Sequence, residues 1–265
     1  MNGGLRLSGL LALAASAAAA QPPEAPICAD RPGKATGTCT VAPGHVQAEV
    51  GLVSWSRHDD GTSRETALSL GETVVKIGVT ERSNLGIGLS PYLRSTTRDG
   101  STRETVSGFG DLQLLYKHRL TAEDAPVQVA LLPAVKIPTA KRSLGNGKVE
   151  AALLLPVTYS IAHSQFSIGA TPEIDWAADG DGRGHHAAMA QVLSLGWAAT
   201  DRLSLSGEIW AQWDWDPAGT SKQVSADASV AYLVSEEVQL DAGANLGLTR
   251  DTPDIELYGG VSVRF

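Results

Sequence analysis

Two runs of alternating residues at the end of the chain decide the fold. They are Val238–Leu248 (VQLDAGANLGL) and Ile255–Phe265 (IELYGGVSVRF). Apolar residues occupy every second position in each run except at Gly259, and most positions between them are polar or glycine. Side chains of a β-strand point alternately to its two faces. Each run therefore predicts a strand with one apolar and one polar face.

The same alternation continues back to residue 45 and predicts about twelve strands. Most of them exceed the ~9–11 residues that a membrane-crossing strand needs, and a phase slip near Gly71 suggests a bulge. Their expected ranges are 45–57, 64–79, 84–97, 106–120, 127–139, 148–161, 164–176, 185–199, 202–215, 221–235, 238–250 and 254–265.

The connections between these strands alternate between short and long, which is typical of outer-membrane barrels. In lipid every backbone amide needs a partner, and only a closed sheet provides one for all strands. The sequence therefore predicts an all-β, closed antiparallel transmembrane β-barrel over residues 44–265. An even number of strands places both termini on one side, which we expect to be the periplasm of a Gram-negative bacterium.

The N-terminal residues have a different composition. Residues 1–20 contain Arg6, an apolar run and a small-residue site at Ala18–Ala20, which predicts a signal peptide. Residues 21–43 are rich in Pro, Gly, Ala and Thr and predict an irregular periplasmic N-terminal segment. The only two cysteines, Cys28 and Cys39, are expected to form a disulfide in an oxidising compartment. The sequence leaves open whether this segment plugs the lumen or hangs in the periplasm.

The polar faces of the strands would line the lumen with charges of opposite sign on opposite walls. The predicted basic wall contains Lys76, Arg94, Lys117 and Lys136, and the predicted acidic wall contains Glu49, Glu173, Asp175, Glu208, Asp214, Asp227, Asp241 and Glu256. Two interpretations are open: salt bridges that plug a narrow barrel, or a transverse field that filters polar solutes by charge.

The residues give no indication of catalysis. His163 and Ser164 fall in a predicted turn and His185 and His186 are adjacent, so neither pair forms a shared site. A formal net charge of -8 argues against a nucleic-acid partner. We therefore expect no enzymatic activity, no metal and no cofactor.

Several short motifs resemble one family. They are Ala29–Gly33 (ADRPG), Val41–Gln47 (VAPGHVQ), Gly108–Leu112 (GFGDL) and Ala130–Thr139 (ALLPAVKIPT). Together they resemble the "MetA-pathway of phenol degradation" family of outer-membrane transporter-like proteins. The resemblance covers Asp30 to Phe265 and implies a barrel with a loosely assigned transport role.

These observations favour an outer-membrane channel for passive passage of small solutes, such as aromatic or other small organic compounds. The alternatives are a structural or surface-binding barrel and, third, an outer-membrane lipid hydrolase. The terminal Phe265 resembles the recognition signal of the barrel-insertion machinery. The expected partners are therefore that machinery, the outer-membrane lipid and a small solute.

Overall fold

The computed structural model describes residues 27–265; the predicted signal peptide and residues 21–26 lie outside the described residues. All described strands belong to one sheet, and every pair of neighbouring strands is antiparallel. The strands are β1 (Val46–Asp59), β2 (Ser63–Thr80), β3 (Ser83–Leu89), β4 (Tyr92–Asp99), β5 (Thr102–Gly108), β6 (Leu112–Arg119), β7 (Val127–Ile137), β8 (Glu150–Leu154), β9 (Val157–Ser160), β10 (Phe166–Ala178), β11 (His185–Ala198), β12 (Leu203–Asp214), β13 (Ser221–Leu233), β14 (Val238–Gly247) and β15 (Ile255–Arg264).

The sheet closes on itself because β1 pairs with β2 on one side and with β15 on the other. Three wall strands are each interrupted once, so that β3 continues into β4, β5 into β6 and β8 into β9. The barrel therefore has twelve wall strands, and the predicted twelve-stranded closed antiparallel barrel is confirmed. No helix among the described residues is long and apolar enough to cross a membrane.

The two ends of the barrel differ. Val46 and Phe265 are joined by two backbone hydrogen bonds at one end, which we call the short-turn end. The opposite end carries most of the longer connections, which span residues 138–149, 179–184, 215–220 and 248–254, and we call it the long-loop end; the short-turn end has one connection of similar length, residues 120–126.

The outer surface of the barrel is apolar and rimmed by aromatic residues. Large, exposed aliphatic side chains face outward on most wall strands, for example Ile87, Ile174 and Leu193. Exposed aromatic side chains gather towards the two ends: Tyr159, Phe166, Trp197, Tyr232 and Phe265 at the short-turn end, and Tyr92, Phe109, Trp176 and Trp215 towards the long-loop end. An apolar band between two aromatic girdles is the surface that a bilayer requires.

A line of irregularities crosses β1 to β6 and exchanges the two faces of each strand. It runs through a register shift at Gly51–Val53, Gly71 with a φ of 70°, the break at Ser90–Pro91 and the break at Phe109–Asp111. We call it the bulge line. The slip that the sequence indicated near Gly71 is part of it.

The bulge line corrects one predicted position. Arg94 lies beyond the break at Ser90–Pro91, where it pairs with Leu68, and Leu68 pairs with Trp55 on the outer face of β1. The neighbour of Trp55, Ser54, faces the lumen and its hydroxyl donates to Glu256 at 2.8 Å. The prediction that Arg94 lines the lumen was therefore wrong, because the break inverts the alternation that placed it there.

Residues 27–43, which we call the N-terminal loop, fill the middle of the lumen. The loop forms no strand, and the Cys28–Cys39 disulfide closes it into a ring. It follows the wall at Gly78, where an added Cβ would lie 1.9 Å from the carbonyl oxygen of Ala42. Of the two positions that the sequence left open, the structure has the loop within the barrel.

Candidate functional site

The N-terminal loop is held first by its own backbone amides. The carboxylate of Glu49 accepts hydrogen bonds from the amides of Asp30 and Arg31, at 3.1 Å and 3.2 Å. Across the lumen, the carboxylate of Glu208 accepts the amide of Lys34 at 2.8 Å and, more distantly, that of Ala35. Loop backbone has no sheet ladder to satisfy it, so two wall carboxylates take that role.

Asp30 joins the loop to the basic wall. Its two carboxylate oxygens accept hydrogen bonds from the buried ammonium groups of Lys76 and Lys117. Burial alone would raise the pKa of Asp30, but the charges and hydrogen bonds of Lys117 and Lys76 lower this pKa to about 2. The loop is therefore docked with Asp30 ionised.

Two cations of the loop face the acidic wall. The guanidinium of Arg31 donates two hydrogen bonds to Asp241, at 2.8 Å and 3.1 Å. The ammonium of Lys34 donates to Ser225 and to Asp227, at 2.7 Å and 3.1 Å, and lies 4.6 Å from the ring centre of Trp210. Both wall carboxylates are almost fully buried, so each needs a charged partner.

The basic and acidic walls are therefore connected mainly through Asp30, Arg31 and Lys34 of the loop. Lys76 also pairs directly with Glu49 of the acidic wall. The sequence indicated that salt bridges could fill the lumen, but it did not assign a role to Asp30, Arg31 or Lys34. The available signal was the charged composition of Asp30–Lys34 (DRPGK), whose three ionised residues complement the two walls.

The remaining predicted lumen residues face the interior nearer the long-loop end. Lys136 pairs with Glu150 at 2.6 Å and with Asp111 at 3.4 Å. Glu256 accepts hydrogen bonds from Ser54 and Asn245, both at 2.8 Å. Three more predicted acidic residues line the interior cavity described next, namely Glu173, Asp175 and Asp214.

A cavity of about 570 Å³ occupies the lumen on the long-loop side of the N-terminal loop. Asp30 and Thr36 of the loop line it, together with charged side chains of both walls. An apolar patch also lines it, formed by Leu115, Leu132, Ala134, Ala152, Leu154 and Ala188. The sequence did not predict this patch.

A second cavity of about 450 Å³ lies on the opposite side of the loop, at the short-turn end. Arg31 and Pro32 of the loop line it, and most of its wall consists of small and polar residues such as Ser206, Ser229 and Gln239. The N-terminal loop therefore lies between two internal spaces. Each has a volume in the range that binds a small molecule.

The family model for "MetA-pathway of phenol degradation" matches residues 29–265, which include both the N-terminal loop from Ala29 onward and the whole barrel. The chain belongs to this family. The resemblance noted in the sequence is therefore confirmed over almost the full described length. No curated protein matches the sequence.

The fold of this family member is similar to that of solved outer-membrane barrels. The transport unit of the autotransporter AIDA-I from Escherichia coli has a TM-score of 0.53 at 10% identity, with 83% of this chain and 89% of that chain covered. The toluene transporter TbuX of Ralstonia pickettii has a TM-score of 0.46 at 8% identity, with 84% and 90% covered. The monoaromatic hydrocarbon channel CymD has a TM-score of 0.48 at 9% identity, with 84% and 88% covered. At these identities the likeness concerns the fold alone.

Neither His163 nor His186 of this family member hydrogen-bonds to a serine in the described part of the chain. His163 has a φ of 58° in a short turn, and the hydroxyl of Ser164 accepts the backbone amide of Phe166. His186 contacts Asp179 and Asp214 at 2.9 Å and 2.7 Å, and no serine or cysteine shares these contacts. Within residues 27–265, no group of three or more His, Cys, Asp or Glu residues could hold a metal ion.

Proposed function

We propose that this protein is an outer-membrane channel for passive passage of small solutes, with the N-terminal loop as its obstruction. The observation that carries the proposal is the cavity of about 570 Å³ inside the barrel, lined by charged groups and by an apolar patch. Such a lining suits a small organic compound that has both a polar group and a hydrocarbon part. The description of the family supports aromatic compounds as the first solutes to test.

The orientation of the barrel is part of this proposal. Bacterial outer-membrane barrels have tight turns on the periplasmic side and longer loops outside the cell. We therefore place the long-loop end outside and both termini in the periplasm. A solute would enter the cavity on the long-loop side and reach the N-terminal loop before the periplasm.

The loop separates the two cavities of the lumen, so a solute can pass only when the loop moves away from the wall. Its contacts with the wall include the ion pairs of Asp30, Arg31 and Lys34 and the hydrogen bonds from its backbone amides to Glu49 and Glu208. Polar contacts of this type can exchange for water when the loop moves. The proposed mechanism needs no covalent chemistry and no energy source in the chain.

Conductance in planar bilayers tests this function. The double variant Glu208→Gln/Asp227→Asn removes the carboxylates that hold Lys34, and it should raise the conductance and the open time above those of the wild type. The matched control Asp201→Asn/Glu236→Gln removes two carboxylates from exposed short turns and should behave as the wild type. Heat-dependent migration in gels checks that each barrel is folded.

The same samples distinguish the alternatives. A folded wild type and a folded double variant that both carry no current would overturn the channel and favour a structural or surface-binding barrel. Hydrolysis of phospholipid by the purified protein, lost on Ser164→Ala, would contradict a purely passive role.

A further inference from the structure

Five arginines form a basic patch near the long-loop end, on the four wall strands (β1, β2, β3–β4 and β5–β6) that the bulge line crosses. Arg57 lies on β1, Arg64 on β2, Arg94 and Arg98 on β4, and Arg103 on β5. Together with Trp55, Thr66, Leu68 and Thr96 they line a shallow pocket with a volume of about 410 Å³. We call these five residues the arginine patch.

The strand register places the arginine patch on the outside of the barrel. Arg64 pairs with Arg98, which pairs with Arg103, so three arginines lie side by side across β2, β4 and β5. Two exposed apolar residues, Val53 and Leu70, continue the same face towards the middle of the barrel. Side chains two apart in a strand share a face, so the arginines point away from the lumen.

The patch carries more positive charge than its neighbours neutralise. Asp59 pairs with Arg57 at 3.2 Å and with Arg64 at 2.8 Å. Among the described residues, Arg94, Arg98 and Arg103 form no ion pair, and all three are exposed. The nearby Glu65 and Glu104 alternate with the arginines along β2 and β5 and therefore face the lumen.

The patch also lies at a defined height. On β2 the outward apolar residues extend from Val79 to Leu68, which at ~3.3 Å per residue and a tilt of about 40° spans about 28 Å. The apolar band of an outer-membrane barrel is ~25 Å tall. Arg64, Arg98 and Arg103 lie four residues beyond the Leu68 level, so they reach about 10 Å past the hydrocarbon into the headgroup region.

We propose that the arginine patch binds the phosphate groups of a phosphorylated glycolipid of the outer leaflet. Guanidinium groups bind phosphate oxygens in a bidentate manner, and a row of three offers this geometry to adjacent phosphates. Trp55, at the edge of the patch, and the exposed Tyr92 beside it would contact the first carbons of the acyl chains. The proposal rests on the outward placement of the long-loop end and is independent of solute passage.

A free anion is the other source of the same chemistry. An anion that enters the lumen would not meet these side chains, because they face away from it. A lipid headgroup in contact with the barrel wall meets them directly. The geometry therefore favours the lipid.

Native mass spectrometry of the detergent-purified full chain tests the proposal with bisphosphorylated lipid A as the probe. The cluster variant Arg64→Gln/Arg98→Gln/Arg103→Gln should lose affinity for lipid A by roughly 100-fold. Each basic residue near an anionic lipid surface contributes roughly a factor of five to affinity, and the variant removes three of them. The matched control Arg142→Gln/Arg183→Gln/Arg250→Gln removes three arginines from the loops at the same end and should change affinity less than threefold, a value on the order of one weak contact. Dephosphorylated lipid A should bind the wild type as weakly as the cluster variant binds lipid A.

Three outcomes would overturn the proposal. Equal losses in the two triple variants would show a non-specific charge effect, and equal binding of dephosphorylated lipid A would exclude phosphate recognition. Complete displacement of lipid A by millimolar inorganic phosphate would identify a free-anion site. If the triple variant does not fold, the single variants Arg98→Gln and Arg98→Lys replace it, and affinity must fall more in the first. Because conductance should be the same in both triple variants, a failure here is separable from a failure of the channel.

Discussion

Replacing Asp30 by asparagine tests how the N-terminal loop is held. In the wild type, the Asp30 carboxylate faces Lys76 and Lys117, whose side chains are 4% and 2% exposed. The amide group that the substitution introduces keeps one acceptor oxygen but carries no charge. Lys76 retains Glu49, whereas Lys117 keeps only the carbonyl oxygen of Gly37, at 2.9 Å. The substitution therefore leaves one buried ammonium without a carboxylate.

The magnitude follows from the ionisation of this group. The pKa of Asp30 is about 2 in the docked loop, against 3.8 for a free carboxyl. This difference corresponds to about 2 kcal/mol of favourable interaction with the ionised form. We expect Asp30→Asn to weaken docking by about that amount, which changes the docking equilibrium by roughly 30-fold.

Hydrogen–deuterium exchange measures this change without depending on transport. The amides of Arg31, Lys34 and Ala35 donate to wall carboxylates and become accessible when the loop undocks. Peptides covering residues 28–40 should exchange about 30-fold faster in Asp30→Asn, while strand peptides keep their wild-type rates. The control Asp201→Asn removes an exposed carboxylate from a turn at the short-turn end, away from the loop. Unchanged exchange in residues 28–40 would refute the ionic docking of the loop.

Further predictions concern the same loop and the chain end. Gly33→Ala should accelerate hydrogen exchange of the loop, because the added Cβ would lie 2.2 Å from the carboxylate of Glu208. The control Gly219→Ala should leave exchange unchanged, because no atom lies within 4 Å of the added Cβ. The contribution of Asp30 to loop protection should be constant above pH 4 and decrease as the pH falls from 3.8 towards 2, because docking stabilises only the ionised form of Asp30; the difference in exchange between the wild type and Asp30→Asn, at matched intrinsic rates, should therefore shrink over that range. Deleting Phe265 should reduce the amount of folded, heat-modifiable protein in the outer membrane, whereas Phe265→Trp should keep the wild-type amount. Equal amounts in the wild type and both variants would show that Phe265 does not act as an insertion signal.

The sequence predicted the barrel because alternation is a local property. Val238–Leu248 shows its two faces without any information from the rest of the chain, and twelve such segments imply closure once lipid is the solvent. The lumen positions of Lys76, Lys117, Glu208 and Asp241 follow from the same alternation.

Arg94 shows where this reasoning fails. Its position depends on the break at Ser90–Pro91, and a single extra residue moves every following side chain to the opposite face. The slip near Gly71 was visible in the sequence, but its continuation across β3 to β6 depends on how neighbouring strands align. The outward arginine patch could therefore not be predicted.

The N-terminal loop escaped prediction for a different reason. It has no periodicity, so no local pattern indicates where it lies. Asp30 meets Lys117, and Arg31 meets Asp241, only after the barrel has brought distant strands around them. Charge complementarity between the loop and two walls is a property of the closed structure.

Solute flux tests the central claim most directly, namely that the N-terminal loop obstructs an otherwise passable lumen. Swelling of proteoliposomes in small organic solutes would be compared for the full chain and for a folded variant that lacks residues 28–40. The account predicts distinctly faster swelling with the shortened chain. Equal swelling rates for the two proteins would contradict it.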